Sequence, residues 1–149
     1  MFRVRTRRSS TERQVEAQGR ALVGMVDAAM IMACADGELA DEEFEVVGQV
    51  IDGFFDGNVT RDEVVEMMEL SLEAIEREGL EGRMGAVAQN LESAELRELG
   101  LAAAATVMLS DAEIVEGEED EVYFQLADAL EIPRRRAEAI ADEVAAQFE

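Results

Sequence analysis

Residues 28–35 (AAMIMACA) are apolar at every position. From upstream into this stretch, Val15, Leu22, Met25, Val26, Ala29, Met30 and Ala33 follow the three-and-four spacing of one face of a helix. A helix with a single apolar stripe lies on a surface, whereas one that is apolar nearly all round has to be enclosed by other elements. The chain is therefore predicted to wrap around one central helix that begins near Thr11 or Glu12. Gly37 ends that helix, as glycine just beyond a helix C-terminus commonly does.

The enclosing elements read as helices too. Asp41 is a candidate N-cap for a second helix, whose inner face carries Phe44, Val47, Ile51 and Phe54. Asp56-Gly57-Asn58 forms a turn. Thr60 caps a third helix, and Glu63 completes a capping box. Its inner stripe is Val64, Met67, Met68, Ser71, Leu72 and Ile75. The segment from Gly79 to Gly85 breaks it, and a short separate helix over residues 85–91 follows. Ser93 opens the next helix, with Leu96, Leu99, Ala103, Val107 and Met108. A sixth carries Val122, Leu126, Ala129 and Leu130. Pro133 permits the start of a last helix with Ile140, Val144 and Phe148. No segment alternates with the period of a strand. The expected fold is all-α, one compact domain of about seven helices over residues 12–149, preceded by a flexible basic tail over residues 1–11. The helix at 28–35 and the one opened by Ser93 should be central, since both are mostly Ala, Met, Leu and Val.

Composition limits what such a domain can do. Hydrophobic residues make up 48% of the 149, enough for a core without cross-links. Cys34 is the only cysteine, which excludes an internal disulfide and fits a reducing, cytoplasmic compartment. The longest apolar run, residues 101–109, is broken by Thr106 and falls short of the ~20 residues of a membrane span. Net charge is −22, and residues 1–20 contribute +4 through six arginines and two acids, so the remainder carries −26. That body repels a phosphate backbone and excludes nucleic acid as its partner. It attracts cations and basic surfaces. The tail (Arg3, Arg5, Arg7, Arg8) suits either solvent or an anionic surface. The chain has no histidine, and so lacks the commonest general base. No serine stands in a G-x-S-x-G setting, and there is no phosphate loop. The chain is expected not to be an enzyme. The six methionines at helical core positions (25, 30, 32, 67, 68 and 108) read as adaptable filler. Arg134-Arg135-Arg136 opens the last helix at the end where positive charge is unfavourable, so its arginines should pair with nearby acids.

Carboxylates concentrate in acidic loops, which suit hard cations such as Ca²⁺ and Mg²⁺ or serve as solvated faces and helix N-termini. One loop carries Asp36, Glu38, Glu42 and Glu43, and another Asp111, Glu113, Glu118 and Glu119. Placing Gly37 at the glycine position of an EF-hand loop puts Met32 and Cys34 where ligands belong, so that frame fails. The frame over residues 52–63 supplies Asp52, Asp56 and Glu63, but Phe54 fills the third position. It stands open as a calcium-sensor alternative beside a plain capped helix-turn-helix.

The segment AAMIMACADGELADEEF resembles the signature of the TerB-like family, which includes tellurite-resistance TerB proteins and the N-terminal domain of DjlA co-chaperones. The family pattern is an apolar helix ending in A-D-G-x-(I/L), followed by a glutamate. Here it is Ala35-Asp36-Gly37-Glu38-Leu39, then Glu42 and Glu43. The family repeats the pattern near its C-terminus and follows it with L-A-x-x-L-x-(I/L). Here the repeat is Asp111-Ala112-Glu113-Ile114, then Glu118 or Glu119, then Leu126-Ala127-Asp128-Ala129-Leu130-Glu131-Ile132. Ala112 stands where the family has its second glycine. The resemblance implies two related acidic helix-loop-helix motifs close together, with Asp36, Glu38, Glu42, Glu43, Asp111, Glu113, Glu118 and Glu119 as metal-site candidates. It also implies a protein partner, including a membrane-associated stress complex, and a role in tellurite or metal resistance. No cofactor is required, and a divalent cation, Ca²⁺ or Mg²⁺, is the candidate ligand.

Overall fold

The ten residues 24–33 are all buried, so the central helix is enclosed as its composition demands. They belong to α1 (Ser10–Ala33) in a computed structural model that describes residues 10–35, 39–55, 59–110 and 118–147, and side chains except at 10–18 and 118–120. The other helices are α2 (Asp41–Phe55), α3 (Arg61–Asn90), α4 (Ala94–Ser110), α5 (Glu118–Ala129) and α6 (Arg134–Gln147). Among the described residues these six helices form one compact all-α domain without strands. The tail is described only from Ser10 onward, and Ser10 and Thr11 belong to the helix rather than to the tail. Residues 1–9, Gly37 and Phe148 lie outside the described residues.

The small residues of α1 and α4 let these two helices approach closely at the centre, where Ala28, Ala29, Ala103, Ala104 and Ala105 are fully buried. α3 lies along α1 on the other side, and α2, α5 and α6 complete the shell. Leu91, which ends α3, is fully buried and sits between two glycines, Gly24 of α1 and Gly100 of α4.

Two expectations need correction. The expected separate helix at 85–91 is the second arm of α3. The chain breaks once, at Gly79 (φ 81°, ψ 166°), and resumes helix at once. Gly85 does not interrupt it, because a helical glycine costs only about 1 kcal/mol. Burying the neighbouring Met84 and Val87 returns more, roughly 1.5–3 kcal/mol each. That merger leaves six helices where about seven were expected. Asp41 is the first helical residue, not the cap; the Phe44 N–H donates to the Ala40 carbonyl, so Ala40 holds the cap position.

Other local signals act as expected. The Thr60 hydroxyl oxygen accepts the Glu63 N–H at 3.2 Å and donates to the Glu63 carboxylate at 2.9 Å. Ser93 accepts the Leu96 N–H at 3.1 Å. Two of the three arginines opening α6 are paired, Arg134 with Glu138 at 3.4 Å and Arg136 with both oxygens of Glu98 at 2.7 and 3.1 Å. Hydrogen bonding to Arg136 holds the Glu98 carboxyl below the usual carboxylate range. Arg134 also lies 4.0 Å over the Phe124 ring. Buried Tyr123 donates its hydroxyl to the Ala137 carbonyl at 2.7 Å, joining α5 to α6, and burial pushes the phenol pKa up.

α5 ends in a Schellman motif: Ile132 N–H donates to the Ala127 carbonyl and Glu131 N–H to that of Asp128. This puts Glu131 in the left-handed region (φ 60°), which disfavours a side chain. Its carboxylate is largely exposed and reaches Arg97 only at 3.8 Å. Glu131→Gly should therefore raise unfolding free energy by about 0.5–1 kcal/mol. A urea midpoint that stays put or falls would show that the Arg97 contact outweighs the backbone strain.

Candidate functional site

The acidic loops leave from the ends of α1 and α4. Past Ala33 the Cys34 N–H still donates to the Met30 carbonyl at 2.9 Å, while at the end of α4 the Ser110 hydroxyl donates to the Thr106 carbonyl at 2.6 Å. α1 and α4 pack against each other at the centre of the domain. Arg20 of α1 pairs at 3.1 Å with Glu92, two residues before α4, and further along both helices Gly24 and Gly100 meet the same Leu91. Gly24 and Gly100 therefore lie at one level of the two helices. From that level, nine and ten residues carry the chain on by about 14 and 15 Å at ~1.5 Å per residue. α5 returns antiparallel, since the Leu130 carbonyl beyond its C-terminus accepts from Arg97 near the start of α4.

Of the eight metal-site candidates, Asp36, Glu38, Asp111 and Glu113 lie outside the described residues. Glu118 and Glu119 open α5, with side chains outside the description. Glu42 and Glu43 stand in the first turn of α2 beside Asp41, where negative charge favours the helix. Among the described residues, no three potential metal-ligating side chains gather. In the alternative frame, Asp56 is outside the description and Phe54 packs against the core. The Glu63 carboxylate already accepts from Thr60, and Asp52 is exposed on α2. Thr60 and Glu63 serve the N-terminal cap of α3.

Two polar sites escaped the sequence reading. Asp27, 1% exposed in mid-α1, accepts from the Ser71 hydroxyl at 2.5 Å and from Arg83 at 2.9 Å. Ser71 precedes the Gly79 break and Arg83 follows it, so one carboxylate fixes both arms of α3. Arg83 extends the chain to Glu78 at 3.4 Å. The visible signal was a lone acid within an otherwise apolar helical stretch. Arg97 donates to the carbonyls of Ala88 (3.0 Å), Leu91 (2.8 Å) and Leu130 (3.3 Å), closing the C-terminal ends of α3 and α5 with one guanidinium. No periodicity announces that role. Apart from Arg83 Nε, which is buried without a hydrogen-bond partner among the described residues, both clusters spend their donors and acceptors on the fold.

A groove of about 260 Å³ lies between α2 and α3, lined by Phe44, Val64, Val65 and Met68 and edged by Asp41, Glu45, Asp52 and Arg61. A second hollow of about 340 Å³ lies beside Arg97, between the starts of α4 and α6. No described helix is long and apolar enough to cross a membrane. Against models of known families, curated proteins and solved structures, the chain matches none.

Proposed function

We propose that the chain is a non-enzymatic, acidic TerB-like module of a bacterial stress response of the tellurite- or metal-resistance type. It binds a divalent cation, Ca²⁺ or Mg²⁺, and a protein partner, and works in the cytoplasm, including at the membrane periphery. One observation carries the reading: the two helices that run into acidic loops, α1 and α4, pack against each other at the centre of the domain. That layout suits a shared set drawn from Asp36, Glu38, Glu42 and Glu43 on one side and Asp111, Glu113, Glu118 and Glu119 on the other. Hard cations take six to eight oxygen ligands, more than one such loop supplies easily. With a net charge of −22, the chain raises the local cation concentration.

Thermal melting tests it. A ligand that binds only the folded state raises the melting temperature, whereas monovalent salt merely screens. Millimolar Ca²⁺ or Mg²⁺ should raise the melting temperature beyond NaCl of equal ionic strength, and Asp36→Asn and Asp111→Asn should each blunt the excess. Loss only in Asp56→Asn would move the site to residues 52–63. Equal shifts with all salts, unchanged in every variant, would leave a protein-interaction domain without a cation site.

A further inference from the structure

We propose that the α2–α3 groove docks a basic amphipathic helix from a partner protein, one bulky apolar side chain entering the groove and Lys or Arg residues flanking it. The proposal stands apart from the cation reading, since it uses none of the eight metal-site candidates. Its first support is Gly48, inside α2. A Cβ built there meets only the Met68 sulfur, at 3.8 Å, an ordinary contact. Gly24 and Gly100 are glycines because Leu91 leaves no room, but Gly48 has no such reason. It forgoes about 1 kcal/mol of helix propensity relative to alanine. Its effect is to leave open a groove that a side chain would fill.

The second support is charge. Arg61 neutralises Glu45 at 2.7 Å, while Asp41 and Asp52, on either side, have no partner among the described residues. The exposed acids Asp62, Glu66 and Glu69 extend the negative field along α3. Such a rim repels acidic peptides and nucleic acid and selects a basic segment. The third support is size. At about 260 Å³ the groove is smaller than a pocket for a whole small molecule, roughly 300–1,000 Å³, and suits the anchor side chains of a docked helix.

The test uses fluorescence anisotropy with the whole chain and a labelled Leu/Lys peptide of about eighteen residues, its leucines spaced three and four apart, long enough to form a helix. The comparison peptide has the same composition scrambled. The patterned peptide should bind more tightly than the scrambled one. Gly48→Leu, which fills the groove from a position with room, should weaken it about thirtyfold, the size of a lost anchor. Asp41→Asn with Asp52→Asn, both exposed and harmless to the core, should weaken binding and flatten its salt dependence. Equal binding of the two peptides would overturn the proposal. So would affinity unchanged in both the filled and the charge-neutralised variants, because either result reduces the interaction to general attraction by an acidic chain.

Discussion

Arg83→Met should cost the domain about 3–5 kcal/mol, the usual penalty for leaving one member of a buried ion pair alone. Asp27 is 1% exposed, and the core around α1 offers it only Ser71 besides Arg83. The methionine matches the arginine stem in bulk, so the loss is one of charge compensation rather than of volume. Asp27→Asn should cost less, because Arg83 is partly exposed and keeps Glu78 at 3.4 Å. The double variant Asp27→Leu, Arg83→Met should recover most of the stability, as apolar replacements of buried pairs commonly do. Urea unfolding of the three variants decides it. A single-variant cost below about 1 kcal/mol would mean that water reaches Asp27, and additive costs would mean that the two residues do not act as a pair.

This pair also shows why the site chemistry was less legible than the fold. Asp27 sits at a position whose neighbours along the helix are all core, and nothing local names its partner. Arg83 lies 56 positions away and meets it only because the chain breaks at Gly79 and folds its second arm back on α1. Local devices behaved differently. Thr60 with Glu63, and Ser93 at the start of α4, act within one turn, so their roles could be read from neighbouring residues. The burial of α1 and α4 was legible because an all-round apolar helix has one physical fate. The junction at α2 shifted by one residue because Ala40 can supply the first carbonyl as well as Asp41 can. Arg97 was invisible for the same reason as Arg83: its three carbonyl partners come from segments brought together only by the tertiary fold. The acidic loops were conspicuous as composition, yet composition states charge without geometry. Their reading therefore rests on how the flanking helices pack.

The glycines give the second large effect, one with a sign opposite to simple helix propensity. Alanine in place of a mid-helix glycine ordinarily stabilises by about 1 kcal/mol. Gly53, on the exposed side of α2 with nothing within 4 Å of an added Cβ, should follow that rule. Gly24 should reverse it. Its added Cβ would stand 2.8 Å from two carbons of Leu91, one of them the branch point, and Leu91 is fully buried and cannot swing aside. Overpacking of this kind typically costs about 1–3 kcal/mol. Gly100 faces Leu91 Cδ1 at 2.5 Å and should behave likewise, less severely because only the end of the side chain has to shift. Leu91→Ala should itself cost about 2–5 kcal/mol, since it empties the space that both glycines were shaped around. Because the new methyl occupies part of that space, Gly24→Ala combined with Leu91→Ala should cost less than the two changes added, by about 0.5–3 kcal/mol. Urea midpoints of the two single variants and the double form a closed cycle. Strict additivity, or a Gly24→Ala variant as stabilised as Gly53→Ala, would mean that Leu91 is not the wedge that spaces α1 from α4. If the wedge is real, the spacing of the two helices is set at this level, where Leu91 stands between Gly24 and Gly100.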